Sequence, residues 1–351
     1  MLIKERRRIF ILISALILLV FVVLFGLSMS LSKDNIMLEP IDVVYLIDNN
    51  RSRELSILLH VVGPQAVVNK LEKQYLNHPN FDCHAKAYSL GYVSYRFLGK
   101  NGLKNFITTC NSGFMHGLIA SYVISQKINT VEFYSSLCDE YKTRFEVLEC
   151  YHGLGNGFMT ITDNRFPKAI GLCQQFKDYS DKMTCYYGVF MESYSLLYGN
   201  SLNLNRRDAV RKNPKIICGS LGENKNAQKA CYAVFYPPAM FYYHKKQDPV
   251  KLISDCVGVD IIYRDSCSQG IGIYTAILKK FDPAGVISVC MMISDKNEAL
   301  SCLHGAQASI VDFWGENLSN HGNVFCNSVP EEYKKDCLNS LNNRIKLFSK
   351  M

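Results

Sequence analysis

Residues 9–29 form one uninterrupted apolar run, IFILISALILLVFVVLFGLSM, with no charge in 21 positions. At 1.5 Å per residue such a helix is about 30 Å long, the thickness of a hydrocarbon core, so the run predicts one transmembrane signal-anchor. Lys4, Arg6, Arg7 and Arg8 in segment 1–8 predict a cytoplasmic N-terminus and an outward-facing bulk. A cleaved signal peptide competes, since Ser28-Met29-Ser30 is a passable cleavage site, although signal cores usually run about 7–15 apolar residues. Residues 30–52 read as a stalk. Within 53–110, the N-terminal capping helices, apolar positions recur at helical spacing on both sides of Gly63-Pro64.

From 111 to 351 the pattern repeats. Six cysteine pairs stand out: Cys138 with Cys150, Cys173 with Cys185, Cys218 with Cys231, Cys256 with Cys267, Cys290 with Cys302, and Cys326 with Cys337. The members of each pair are separated by 11 to 13 residues. The second members step by 35, 46, 36, 35 and 35, and the long step marks an insertion at Asn203 to Lys215. A period near 35 is one αα-hairpin. Asn213-Pro214, Asp248-Pro249 and Asp282-Pro283 each place a capping side chain before a proline that suits the first helical turn. One helix then ends near the first cysteine and the next opens near the second, so each pair predicts a staple between helices. Cys83 and Cys110 remain as a seventh pair by arithmetic. Gly153, Gly188, Gly270 and Gly305 follow the second cysteine by three and predict close helix–helix approach. Cys231 breaks this template with Val234 and Pro237-Pro238, which predicts a kinked or shortened helix.

The expected fold is therefore all-α, an αα-hairpin repeat solenoid behind one N-terminal transmembrane helix. Stapled hairpins of this period resemble the cysteine-rich Sel1-like and tetratricopeptide-like repeat families over roughly residues 110–340. The resemblance implies a binding scaffold rather than an enzyme.

Fourteen cysteines, an even number, argue for disulfides and so for an extracytoplasmic compartment. A composition 48% hydrophobic and 20% charged excludes wholesale disorder. The net charge of +8 is partly the N-terminal cluster, so nucleic acid is not an expected partner. No Cys-x(2–4)-Cys pair, Cys-x-x-Cys-His, Gly-x-Ser-x-Gly, phosphate loop or His-Glu-x-x-His occurs. Zinc fingers, covalent haem attachment and the common hydrolases are thereby excluded.

Two groups of residues remain as candidate chemistry. His116 and His152 lie 36 residues apart in Phe-Met-His-Gly and Cys-Tyr-His-Gly contexts, and His84 follows Cys83. On stacked hairpins these three converge and point to a divalent metal or haem site, with Glu192 or Tyr88 as further donors. Helix-packing histidines are the alternative, since Tyr187, Ala233 and Gln269 hold the same repeat position. The second group is a partner surface for a protein or peptide: the aromatic cluster Phe235, Tyr236, Phe241, Tyr242 and Tyr243, and the basic insertion with Arg206, Arg207 and Arg211. No catalytic residue and no obligatory cofactor follow from spacing. The primary expectation is a membrane-anchored extracytoplasmic scaffold; the alternative is a metal- or haem-binding ectodomain.

Overall fold

The computed structural model describes residues 41–78, 82–104, 106–126, 130–195, 214–243, 250–314 and 318–349. The expected anchor at 9–29 and the insertion arginines lie outside these residues. Among the described residues no helix is long and apolar enough to cross a membrane. Every regular element among them is a helix, so the fold is all-α.

The chain divides into two compact units between Lys70 and Leu71. The first holds α1 (Val43–Asp48), α2 (Ser52–Val62) and the start of α3 (Pro64–Asn77). Helix α1 falls where a stalk was expected. Asp42 supplies the missing signal, because its carboxylate accepts from the Tyr45 amide and caps the first turn. Gly63, at φ 86°, ends α2, and Pro64 begins α3.

The second unit alternates short and long helices. The long ones are α4 (Cys83–Leu98), α5 (Gly113–Gln126), α7 (Arg144–Ile161), α9 (Tyr179–Ser195), α14 (Ile261–Leu278), α16 (Lys296–Trp314) and α18 (Glu331–Lys346). The short ones are α6 (Val131–Cys138), α8 (Phe166–Cys173), α10 (Pro214–Gly219), α13 (Val250–Val257), α15 (Pro283–Cys290) and α17 (Leu318–Ser328). Between α10 and α13 the chain runs through α11 (Lys225–Ala230), a π-helical turn at Cys231–Phe235, and α12 (Tyr236–Tyr243). Of the kink or shortening expected after Cys231, the structure has an interruption, a π turn at Cys231–Phe235, but no shortening. The helix continues through Pro237 and Pro238 because the π turn absorbs the change of register ahead of them.

All fourteen cysteines are paired as the spacing predicts. Cys83 bonds to Cys110, Cys138 to Cys150, Cys173 to Cys185 and Cys218 to Cys231. Further along, Cys256 bonds to Cys267, Cys290 to Cys302 and Cys326 to Cys337. The paired Cα atoms stand 5.4 to 5.6 Å apart throughout. Each staple of 11 to 13 residues joins the end of a short helix to the helix that follows. It contributes about 3 kcal/mol on the loop-entropy model. Asp282 caps α15 through the Gly285 amide at 2.9 Å, with Pro283 in the first turn.

Successive long helices pack directly on one another, and glycine sets their distance. A Cβ on Gly91 would lie 1.9 Å from the Phe114 carbonyl oxygen, and one on Gly117 would lie 1.9 Å from that of Tyr88. The same reciprocal contact joins α7 to α9 through Gly155 and Gly188, and α14 to α16 through Gly272 and Gly305. The last turn of the chain returns to α7: the Phe145 amide donates to the Leu347 carbonyl at 2.8 Å, and Phe348 stacks on Phe145 at 4.0 Å.

Candidate metal centre

The close packing of α4, α5 and α7 brings their first halves into register. His84 is the second residue of α4, His116 the fourth of α5, and His152 the ninth of α7. Their rings form a file. His84 meets His116 edge-on at 5.2 Å, and His116 stacks on His152 at 4.2 Å with only 5° between planes. His116 and His152 are 1% and 6% exposed.

Glu149 completes the group. It lies three residues before His152, hence on the same face of α7, and is itself only 7% exposed. Cys150, stapled to Cys138, lies between the two and ties this turn of α7 to α6. One ligand atom from each of His116, Glu149 and His152 falls within 4.8 Å of the others. Sequence reasoning missed Glu149. An acid next to a cysteine reads as a solvated position until the inward face is known, and the Glu-x-x-His spacing was the available signal.

Burial holds both imidazoles well below their ordinary pKa; for His116 the neighbouring His84 adds to this, and for His152 the His116 ring does, while Glu149 opposes it. The neutral His116 ring donates Nε2–H to Oε2 of Glu149 at 2.8 Å. That leaves His116 Nδ1 as a lone-pair nitrogen. Both His116 Nδ1 and His152 Nε2 are buried without a hydrogen-bond partner. Leaving such an atom unpaired costs about 1–3 kcal/mol.

A second polar layer lies one helical turn further along. Tyr88 donates to Oε2 of Glu192 at 2.7 Å, and the Asn156 amide donates to the same oxygen at 3.4 Å. Glu192 and Tyr88 therefore bond to each other, in a layer adjoining the histidine file. Asp312 and Arg344, paired through two hydrogen bonds, add charge near Glu149 from the C-terminal side. Burial pushes the Asp312 carboxyl up to about 6, against the pull of Arg344.

Of the aromatic residues expected at a partner surface, three are described. Phe235 and Tyr236 are buried at the π turn, and Phe241 is half-buried with its ring 5.4 Å from Tyr274. A π turn rotates these rings into the core, which period-3.6 counting does not anticipate. The side chains of Tyr242 and Tyr243, and all of Arg206, Arg207 and Arg211, lie outside the description. No family model matches this chain, no curated protein matches it, and no solved structure matches it.

Proposed function

We propose that this is a metal-binding protein of an oxidising, extracytoplasmic compartment, a stapled helical solenoid held at a membrane by residues 9–29. The observation that carries the reading is the pair of buried, unpartnered imidazole nitrogens, His116 Nδ1 and His152 Nε2, with the Glu149 carboxylate holding the His116 ring from its other nitrogen. Neutral imidazole is the form that ligates, and burial maintains it. Donors in a tetrahedral site stand about 3.3 Å apart for bonds of 2.0–2.2 Å, so the stacked His116 and His152 rings must tilt out of their parallel planes to bring both lone pairs onto one ion. Every cysteine is in a disulfide, so no thiolate competes. Imidazole with carboxylate suits Zn²⁺, Cu²⁺, Ni²⁺ or Fe²⁺. The touching faces of His116 and His152 leave no gap for a haem plane, which favours a bare ion.

The test is metal content of the full-length, disulfide-intact chain after equilibration with Zn²⁺ and removal of loose ion. About one ion per chain is expected, lost in a His116→Ala, His152→Ala double variant. A wild-type chain without stoichiometric metal would overturn the reading.

A second reading, a protein or peptide scaffold, has its own support in other residues. Ile216, Val257, Ile261 and Ile262 are 64%, 51%, 74% and 50% exposed. Asp260 and Tyr263, in the same stretch of chain, line an open cavity of about 710 Å³ with Glu223, Lys225, Gln228 and Tyr232. Exposed aliphatic side chains beside a cavity are the usual mark of a docking surface.

A further inference from the structure

The segment that leads into α5 is strained where it passes His84. Cys110, Asn111 and Ser112 have φ of 55°, 55° and 57°, the left-handed region that costs a side-chain-bearing residue about 1 kcal/mol or more. Other left-handed non-glycine residues among those described come singly or in pairs, as at Asp163-Asn164 and Lys280-Phe281. Such a run of three persists only where its surroundings impose it.

Three of its contacts fall on His84 or its neighbour. Cys110 is bonded to Cys83, the neighbour of His84. The Asn111 carbonyl lies 3.0 Å from His84 Nδ1. Gly113, the next residue but one, sits so close that a Cβ there would stand 2.5 Å from the His84 carbonyl oxygen. A carbonyl oxygen only accepts, so Nδ1 of His84 carries a proton and Nε2 is the nitrogen left to face an ion. A histidine whose other nitrogen donates to a backbone carbonyl is in the arrangement that metal-ligating histidines adopt. The ring is already edge-on against His116.

We propose that His84, through Nε2, is a further ligand of the ion, placed by the left-handed strap Cys110–Ser112. This rests on the metal reading of His116, Glu149 and His152. The ligand set then draws on three successive long helices, α4, α5 and α7: three imidazoles, with Glu149 orienting the His116 ring through Nε2–H.

The experiment uses the full-length chain with its disulfides intact, loaded with Co²⁺ or Cu²⁺. Wild type and His84→Gln are compared by Co²⁺ affinity against a competing chelator and by the visible ligand-field spectrum. The variant is expected to keep one ion but bind it at least about tenfold more weakly, with a changed band envelope. Pulsed electron paramagnetic resonance of the Cu²⁺-loaded wild type counts coordinated imidazoles without any substitution, and three are expected. A count of two, or a His84→Gln variant with unchanged affinity and spectrum, overturns the role of His84 and leaves the other ligands standing. A wild-type chain that takes up no ion removes the site itself.

Discussion

His116 and His152 are neutral because they are buried, and this fixes the sign of their contribution as pH changes. The unfolded chain takes up protons at these rings near pH 6.5, whereas the folded chain does so only well below that value. Their stabilisation is therefore complete above about 6.5 and is lost as pH falls, at up to about 1.4 kcal/mol per pH unit for each ring. Asp312 acts in the opposite direction, since its folded pKa is raised to about 6 and protonation favours the folded state. Comparing wild type with His116→Gln cancels Asp312. In the presence of a chelator, the stability gap between the two, measured by denaturant titration, should narrow from pH 7 to pH 5. A constant gap would show that His116 titrates alike in both states. At this scale the histidines were legible from their recurring context. Asp312 and Arg344 were not, because nothing in the sequence around them marks an acid or a base as inward-facing, and Glu149 had only its Glu-x-x-His spacing to His152 as a signal.

Helix–helix distance is set by glycine, and that makes a sharp comparison possible within one chain. Gly117→Ala puts a methyl group against the Tyr88 carbonyl, in rigid backbone. Overpacking of this kind costs about 1–3 kcal/mol, more than the up to 1 kcal/mol that alanine gains over glycine in a helix. Gly171, inside α8, has nothing within 4 Å of an added methyl, so Gly171→Ala should stabilise by up to about 1 kcal/mol. Thermal unfolding of the two variants should move in opposite directions; a shared sign would contradict the packing account. The repeat and its staples were readable because cysteine spacing and Asp-Pro caps are local signals. Helix α1 and the π turn were not, since one depends on a single capping bond and the other on neighbouring helices that hold Pro237 and Pro238 in line.

The return of the C-terminus to α7 belongs to the whole second unit, and only tertiary structure reveals it. In the sequence, Lys346, Leu347 and Phe348 simply look like the end of the last helix. In the fold, α18 stops at Lys346, Phe348 stacks on Phe145, and the Arg344 guanidinium sits 5.6 Å from the same ring. Phe348→Ala is expected to cost about 2 kcal/mol, read as a lower unfolding midpoint of the full-length chain, with Phe348→Tyr close to wild type. Equal midpoints for all three would mean that the contact carries no stability. The disulfide pattern has a consequence of a different kind. Every cysteine is bonded to its nearest neighbour in sequence, so a chain emerging N-terminus first always presents the right partner next. Oxidation in order of emergence yields the native set with nothing to reshuffle.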